Sequence, residues 1–399
     1  MPEHRPLNIL YHHRTQGRGA EGVHIVSIVT ALEALGHRVT LLSPPGIDPL
    51  KTAGNAPVDK SEVTTSGLNS LWKFVSRKLP NFIFELVEIA YNLPAYFRLE
   101  RELGRNRYDL VYERYAFYLI AGAVASRRHG IPLVLEANEV SGIKDRARKQ
   151  SFSWLCKRFE RFLLARCQSI HTVSSYLRAM ILAHPGIDPG RVEVMPNALD
   201  LQQFECEHEN SELAARLGLQ GKTVIGFAGW FDEWDRLDLL LEVFLSLKRE
   251  HPRLALLLVG DGKVLRPIEE KISAERLTDI VLTGAVPRSE VKRYLSLLDI
   301  AVVTHSNEFG SPVVMFEFMG LRIPIVAPAL MPITDVLEDR VNALLFEPLD
   351  MKQLENRISE LLGSVETRLR LSAAAREKLV ENHTWECNGR KIVASSGLA

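Results

Sequence analysis

Short apolar runs alternate along the first half of the chain with segments whose apolar residues follow a helical spacing. The runs predict strands at residues 7–11 and 39–42, with a helix at 25–35 between them. Further strands are predicted in DLVYERY, IPLVLEAN, SIHTVSS and VEVMPNALDLQQF. Because strand, helix and parallel strand form a βαβ unit, this half is predicted to be a doubly wound α/β domain.

The second half repeats the pattern. Residues 223–227 predict a strand, GWFDEWDRLD a loop, and residues 239–247 a helix. The run LALLLVGDG predicts a buried strand that ends in a Gly-Asp-Gly turn, and it is followed by a strand in DIVLTGAV and a helix at 288–298. A second doubly wound α/β domain is therefore expected.

Length and composition fit two globular domains. A chain of 399 residues with 46% apolar residues is too long for one ordinary core. The expected divisions are residues 1–200, residues 201–375 and a charged helical segment at 376–399 that can pack back on the first domain. Lysine plus arginine equals aspartate plus glutamate, at 49 each, so no overall charge favours nucleic acid.

The cysteines and the N-terminal sequence indicate a reducing, cytoplasmic location. The four cysteines lack metal-ligand spacing, and nothing at the N-terminus resembles a signal peptide. No stretch is apolar enough to span a bilayer. Two basic, aromatic segments, SLWKFVSRKLPNFIFELVEIAYNLPAYFRLERELGRNRYD and DRARKQSFSWLCKRFERFLLARC, suit the anionic inner face of a membrane. Ordinary helices packed on the sheet, with solvated Arg and Lys, are the alternative.

The stretch THSNEFGSPVVMFEFMGLRIPIVAP, residues 304–328, carries the clearest local signal. A strand at 300–303 leads through a Gly-Ser-Pro turn into a helix at about 312–319, which stops at Gly320. A buried strand is predicted at 323–326. This order places a helix N-terminus at the carboxyl end of a strand, which is where α/β sheets bind anions.

Two features of this helix suit a nucleotide diphosphate. Ser311 and the N–H groups near Val313 and Val314 lie at its N-terminus, where a phosphate would bind. Glu317 lies one turn further along, and its carboxylate can accept hydrogen bonds from both ribose hydroxyls. The alternative places Glu317 on the solvated face of a surface helix.

The first half also contains a glycine-rich loop after its first strand, in HHRTQGRGAEGVH. Gly17, Gly19 and Gly22 would let the backbone approach a ligand or a partner domain closely. Nicotinamide binding is a weaker interpretation, because the loop is longer than GxGxxG and SPP replaces the acidic residue expected after the second strand.

Polar residues end two neighbouring predicted strands of the first half. Because parallel strands share an edge at their carboxyl ends, these side chains are expected to converge: Glu113, Arg114, Glu136, Asn138 and Glu139. Carboxylates beside Arg suit an acceptor rich in hydroxyl groups. An inter-strand salt bridge explains the same residues.

The chain resembles the retaining GT-B glycosyltransferases of family 4 over nearly its whole length. The resemblance lies in GRGAEGVH, ALEALGHRV, VEVMPNALDLQQF, FAGWF, LLVGDG, VLTGAVP, GSPVVMFEFMGLRIPIVAP and HTWE, in this order. It implies two Rossmann-like domains facing across a cleft, and transfer of a sugar from a nucleotide-diphosphate sugar to a glycan or lipid-linked acceptor hydroxyl. No metal and no cofactor is expected.

The resemblance also implies roles for individual residues. Gly17, Arg18 and Gly19 would lie against the donor phosphates, and Glu317 would hold the ribose. The remaining donor-binding positions would be Gly229, Arg236, Gly260, Gly262, Gly284, Val286, Gly310, Ser311, Pro312, Val313 and Val314. Asn138 and Glu139 would bind the acceptor.

Departures from the family pattern affect three features: the cations, the pair of acids and the His. The Arg and Lys that grip the diphosphate are replaced by Trp230 and Asp235, so Arg236 or another cation would have to serve. The usual Glu eight residues before Glu317 is replaced by Phe309, which leaves Glu308 a doubtful member.

The His expected near the reacting sugar is also missing, because the YERY region stands in its place. Its role would pass to Glu113 or Arg114, with His24 and His12 as further candidates for polar contacts. A nucleotide-sugar 2-epimerase and a non-catalytic partner subunit remain alternatives. The preferred function is synthesis of an exopolysaccharide or cell-surface glycan.

Overall fold

A computed structural model of the protein describes residues 5–17, 19–52, 81–143, 150–204 and 211–398. Contacts divide the chain into two units. The first combines Met1–Met195 with Glu386–Ala399, and the second is Pro196–Trp385. The chain therefore leaves the first unit shortly before residue 200 and returns to it near its end.

The first unit is built on a parallel sheet of six strands in the order β2-β1-β3-β4-β5-β6. Its helices connect successive strands, as βαβ units require. In chain order the elements are β1 (Asn8–His12), α1 (Gly19–Ala34), β2 (Arg38–Leu42), α2 (Pro49–Thr52), α3 (Asn81–Ala90), α4 (Asn92–Arg105), β3 (Leu110–Arg114), α5 (Ala121–His129), β4 (Leu133–Ala137), α6 (Ser153–Leu164), β5 (Ser169–Thr172), α7 (Ser175–Leu182) and β6 (Val192–Val194).

The second unit has its own parallel sheet of six strands, in the order β12-β11-β10-β7-β8-β9. Its elements are α8 (Ser211–Arg216), β7 (Thr223–Phe231), α9 (Leu237–Glu250), β8 (Leu254–Gly262), α10 (Leu265–Ala274), β9 (Ile280–Leu282), α11 (Arg288–Leu295), β10 (Ile300–Val302), α12 (Val313–Gly320), β11 (Ile325–Pro328), α13 (Met331–Thr334), β12 (Leu344–Phe346), α14 (Met351–Gly363) and α15 (Val365–Asn382). The last helix, α16 (Trp385–Ser395), returns the chain to the first unit.

Alternation along β8 shows why this sheet is buried on both faces. Ala255, Leu257 and Val259 pack into one core cluster, while Leu256 and Leu258 pack into the other. Since successive strand residues point to opposite faces, an uninterrupted apolar run supplies both cores. The α/β class with two doubly wound sheets is confirmed.

Several predicted boundaries were wrong. Strand β7 continues through GWF to Phe231, and β8 continues through the predicted Gly-Asp-Gly turn to Gly262. The two strands pair along their whole length, from Thr223 with Leu254 to Phe231 with Gly262. Helix α1 begins at Gly19, earlier than the predicted residue 25. Within the described parts of the chain, no helix has the length and apolar character needed to cross a bilayer.

Candidate functional site

Helix α12 begins next to the middle of the second sheet. It follows β10, which lies between β11 and β7. Pro312 is its N-cap residue in an extended conformation, and Val313 is its first helical residue. The first N–H groups of a helix have no partner within the helix, so those of Val313 and Val314 point out of its N-terminus. The structure thus places Ser311, Pro312, Val313 and Val314 at an end suited to an anion.

Ser311 is held by Asn197, a residue that the sequence analysis did not single out. The Asn197 backbone N–H donates to Ser311 Oγ at 3.1 Å, and Asn197 Nδ2 donates to the Ser311 carbonyl at 2.7 Å. Both residues are buried. Asn197 Oδ1 is buried without a hydrogen-bond partner among the described residues. The motif MPNALD contained this residue, but a pairing across more than a hundred positions leaves no local signal.

Gly310 lies in a turn closed by Asn307. Asn307 Oδ1 accepts from the Gly310 N–H at 2.5 Å and from the Phe309 N–H at 3.2 Å. A Cβ on Gly310 would come within 2.8 Å of the same oxygen. A side chain at position 310 would therefore displace the Asn307 amide that closes the turn leading into α12.

Glu317 is buried and paired with Arg288. It is 2% exposed, and Arg288 Nη1 forms an ion pair with its Oε1. Burial raises the pKa of Glu317 above its ordinary value, and the Arg288 guanidinium acts in the opposite direction. Arg288 also lies over the Phe204 ring, 5.5 Å from its centroid. The alternative of a solvated face for Glu317 is therefore wrong.

The loop after β7 holds the residues that replace the expected cations. Trp230 lies within β7 itself. Asp232 and Asp235 form a capping box around the short 3₁₀ turn Glu233–Asp235, in which Asp235 Oδ2 accepts from the Asp232 N–H at 2.8 Å. Burial raises the pKa of Asp235 to about 7. Asp235 therefore shapes the loop rather than supplying positive charge.

Two cations lie in this loop and the next one. Arg236 forms two hydrogen bonds through its Nε and Nη2 with Asp238, at 2.9 and 2.8 Å. Lys263, directly after β8, donates to Asp232 Oδ1 at 2.6 Å. Its Nζ is also 5.7 Å from the centroid of the Trp234 ring. Both ion pairs lie at the carboxyl edge of the sheet.

His305 joins the loop after β10 to the loop after β7. Its Nδ1 lies 3.0 Å from the Trp234 carbonyl oxygen. A carbonyl can only accept, so Nδ1 must carry the hydrogen. The loops after β10, β7 and β8 are thereby connected in the order His305, Trp234 and Lys263.

The three ion pairs at this edge differ in what it costs to break them. Removing one partner of a fully buried pair costs about 3–5 kcal/mol, because a buried charge remains. The Arg288–Glu317 pair should cost less, because the Arg288 side chain is 37% exposed although Glu317 is buried. Exposed pairs contribute about 0–1 kcal/mol. The Arg236 and Lys263 side chains are 36% and 54% exposed, so both of their ion pairs fall in this weak class.

The glycines of the two long strands have a structural role. A Cβ on Gly260 would lie 1.9 Å from the Gly229 oxygen, and one on Gly262 would lie 2.3 Å from the Phe231 oxygen. Gly260 also forms an isolated bridge with Gly284, which has a positive φ of 67°. Val286 is a core residue at 8% exposure. These positions build the edge at which β7, β8 and β9 end.

In the first unit, polar residues gather around Glu136 at the end of β4. Tyr11 Oη donates to Glu136 Oε2 at 2.9 Å, while Arg114 Nη1 and Asn138 Nδ2 both donate to Oε1. His24 Nδ1 lies 3.4 Å from Oε1 and 3.1 Å from Arg114 Nη1. The predicted convergence of Arg114, Glu136 and Asn138 is therefore present, together with the inter-strand salt bridge that was its alternative.

The charges in this cluster are fixed by burial and pairing. Burial would raise the pKa of Glu136, but His24, Arg114, Asn138 and Tyr11 together lower it to about 2. Burial lowers the pKa of His24 to about 4, although Glu136 acts in the opposite direction. At neutral pH, Glu136 is thus ionised beside a neutral imidazole. His24 lies inside α1 rather than at a helix start, because α1 begins at Gly19.

Glu113 points to the other face of the same sheet. It pairs with His12, whose Nδ1 lies 2.5 Å from Glu113 Oε2, and both side chains are buried. A Cβ on Gly122 of α5 would lie 1.9 Å from Glu113 Oε2. This environment gives Glu113 a structural role beneath α5, away from the Glu136 cluster.

Three of the remaining predicted positions, Gly17, Gly19 and Glu139, lie in the described part of the first unit. Gly17 has a φ of 63°, and its oxygen would lie 2.3 Å from a Cβ on Gly22, so the loop folds tightly onto α1. Gly19 is the first residue of α1. Arg18 lies outside the described residues, and Glu139 is half-buried after β4.

Two family models match the chain in sequence. The model described as Glycosyltransferase Family 4 matches residues 21–203, and the model described as Glycosyl transferases group 1 matches residues 210–378. Together they cover most of both units.

Relatives include two proteins with named activities. D-inositol 3-phosphate glycosyltransferase of Segniliparus rotundus is 25% identical over 301 residues, which span 72% of this chain and 66% of that protein, just under two thirds. 2-deoxystreptamine glucosyltransferase of Streptomyces kanamyceticus is 24% identical over 385 residues, which span 90% of this chain and 94% of that protein.

Solved structures with the same fold include Anabaena HepE in complex with UDP. It has a TM-score of 0.70 at 17% identity, covering 98% of this chain and 100% of that one. A glycosyltransferase from Rickettsia africae has a TM-score of 0.74 at 14% identity, with 98% of each chain covered. The fold is that of the GT-B glycosyltransferases.

Proposed function

Because the chain belongs to the family 4 glycosyltransferases with the GT-B fold, we propose that it transfers a sugar from a nucleotide-diphosphate sugar to an acceptor hydroxyl, with retention of configuration. The observation that carries this proposal is the buried carboxylate of Glu317, one turn behind the helix N-terminus at Ser311. A phosphate at that N-terminus and a ribose at Glu317 fit the two ends of a nucleoside diphosphate.

The second unit would stabilise the leaving group. When the bond between sugar and phosphate breaks, the diphosphate gains negative charge. The N–H groups of Val313 and Val314 and a cation from the neighbouring loops would stabilise that charge. An oxocarbenium-like centre would then react with an acceptor hydroxyl on the face that the diphosphate leaves, and the proton of that hydroxyl would pass to the departing diphosphate. The expectation that no metal takes part stays a prediction.

The Glu136 cluster would serve the reacting sugar and the acceptor. Ionised Glu136 fixes Arg114, and Asn138 and neutral His24 offer hydrogen-bonding groups beside it. Such groups suit hydroxyls rather than a charged substrate. In this proposal Asn138 and Glu139 bind the acceptor, and His24 and Arg114 replace the His missing from the family pattern.

The proposal is tested at Glu317, with Glu308 as a matched control. Glu308 is an exposed acid in the same stretch. Thermal-shift measurements with UDP- and GDP-sugars are expected to show stabilisation of the wild type and of Glu308→Gln, because a ligand bound to the native state raises apparent stability. Glu317→Gln should lose most of that shift. A shift unchanged in Glu317→Gln would remove Glu317 from the ribose role.

Activity separates the proposal from its alternatives. A glycosyltransferase should release free nucleotide diphosphate from its donor, and release should rise when a membrane extract supplies acceptors. A 2-epimerase would change the donor without any need for an acceptor, and a non-catalytic subunit would release nothing. We place the activity in exopolysaccharide or cell-surface glycan synthesis, the preferred function from the sequence.

We also propose peripheral contact with the inner face of a membrane through the first unit. Helices α3 and α4 expose Phe82, Leu86, Leu93 and Phe97, and α6 exposes Trp154. Glu85 of α3 accepts from the N–H groups of Ser151 and Phe152, which brings the start of α6 beside α3. Exposed Arg101 and Arg105 add positive charge on α4. This combination suits anionic lipid. The basic positions at 53–80 and 144–149 lie outside the described residues.

Vesicle sedimentation tests this contact. The wild type should sediment with phosphatidylglycerol vesicles more than with phosphatidylcholine vesicles, and less at high salt. The double variant Leu93→Asp with Phe97→Asp should lose that binding. A matched control is Val365→Asp with Leu369→Asp, an exposed pair with the same spacing on α15 of the second unit. Equal binding by both double variants would contradict the proposed surface.

A further inference from the structure

The proposed donor site needs a mobile cation, and the usual positions do not supply one. Trp230 belongs to a strand, and Asp235 is an acid buried in the capping box. Three cations at the carboxyl edge of this sheet are candidates: Arg236, Lys263 and Arg288. Each has an acidic partner. The question is which of them can exchange that partner for a diphosphate.

Arg288 is the least available of the three. Its partner, Glu317, is buried. If Arg288 moved away, an uncompensated carboxylate would remain in the core. It is also stacked over Phe204. A cation that neutralises a core acid cannot also serve a ligand without that loss.

Arg236 is constrained by its own helix. It is the N-cap residue of α9 in a left-handed conformation, with a φ of 48°, and its guanidinium is tied by two donors to Asp238 in the first turn. The bonded residue is only two positions away, so the side chain is turned back along its own backbone. Reaching a ligand would require both hydrogen bonds to break together.

Lys263 is the cation that can exchange its acidic partner most easily. It leaves the end of β8 on a side chain with 54% exposure and makes one ion pair, to Asp232. Its ammonium group lies beside Trp234, whose carbonyl is bonded to His305 in the loop that leads to α12. An exposed single ion pair gives little stabilisation, whereas a diphosphate offers a larger negative charge.

We propose that Lys263 is the residue that binds the donor diphosphate, exchanging Asp232 for a phosphate oxygen when the nucleotide enters. This inference rests on the proposed function and specifies one contact within it. The cation is supplied by the loop after β8 instead of the loop after β7. Asp232 holds the lysine at the sheet edge while the site is empty.

Nucleotide binding by the full-length chain tests the assignment. Dissociation constants for UDP and GDP, and for UMP and GMP, are measured by titration calorimetry for wild type, Lys263→Met, Lys263→Arg and Arg236→Met, the variant of the competing cation. The matched control is Arg293→Met, at a partly exposed cation paired with Glu290 on α11, and it should bind as the wild type does. Lys263→Met should weaken diphosphate binding by about tenfold, the effect of one charged hydrogen bond, and monophosphate binding much less. Lys263→Arg should restore most of the affinity. Arg236→Met should stay within about twofold of wild type.

The possible results separate the inference from the function on which it rests. If Lys263→Met binds the diphosphates as wild type does, or Arg236→Met shows the loss instead, the role of Lys263 is overturned and the glycosyltransferase proposal stands. If the wild type binds neither diphosphate, both are overturned. Melting temperatures without ligand serve as the folding control. Because the Lys263 and Arg236 side chains are partly exposed, their substitution should leave stability nearly unchanged.

Discussion

The charge on Glu317 depends on one neighbour. Burial favours the protonated carboxyl, and Arg288 favours the carboxylate. The net effect still raises the pKa of Glu317 above its unfolded value. The folded state therefore holds its proton to higher pH than the unfolded state, and this group contributes less to stability as pH rises through its folded pKa. By favouring the carboxylate, Arg288 reduces the stability that is lost as the pH rises.

Removing Arg288 should make the pH dependence steeper. In Arg288→Met the raising effect of burial on the pKa of Glu317 is no longer opposed, so the free energy of unfolding should fall further than in wild type as the pH rises above the unfolded pKa of this carboxyl. At pH 7 we expect a loss of about 2 kcal/mol, below the usual cost for a fully buried pair because Arg288 is partly exposed. Urea denaturation at several pH values measures this.

A double variant provides the control for that prediction. Glu317→Gln removes the titrating group, so Arg288→Met with Glu317→Gln should lack the added pH dependence and recover part of the lost stability. If the single and double variants show the same pH profile, the titration of Glu317 is not its source.

At the scale of elements, the ends of β7 and β8 show what local patterns miss. Gly229, Gly260 and Gly262 suggested a loop and a turn, because glycine usually interrupts strands. In the structure, all three lie in paired strands, and at Gly260 and Gly262 the neighbouring backbone leaves no space for a Cβ. The same residue type marks a turn or a close strand contact. Which of the two a glycine marks depends on the position of the neighbouring strand, and the local sequence does not give that position.

Other features of the candidate site were predictable from periodicity alone. Glu113 and Arg114 are consecutive residues of β3, so they must point to opposite faces, and only Arg114 can join Glu136. The sequence VVMFEFMG is apolar on all sides, which indicates a buried helix and hence a buried Glu317. The partners Arg288 and Asn197 could not be predicted, because each contact is made between distant segments.

At the scale of the whole molecule, the fold followed from the order of strands and helices, while the sequence left open whether the segment at 376–399 packs back on the first domain. The first unit is discontinuous, since Glu386–Ala399 belongs to it after the whole second unit has intervened. Helix α16 buries Ile392 and Val393. Gly389 lies against α1, where an added Cβ would be 2.9 Å from Leu35 Cδ1 and 3.7 Å from Ala31 Cβ. The last residues of the chain therefore complete the core around its first helix.

Truncation after Trp385 should consequently weaken the first unit and spare the second. Loss of two buried aliphatic side chains, at about 1.5–3 kcal/mol each, should lower the stability of the first unit by several kcal/mol. Hydrogen exchange measured by mass spectrometry should show faster exchange in α1 and unchanged exchange in α9, because the second unit ends at Trp385. A chain that ends at Gly397 is the control, since it loses only the half-exposed Leu398 and the terminal residue. If α1 keeps its protection in the longer truncation, α16 is not part of the first unit's core.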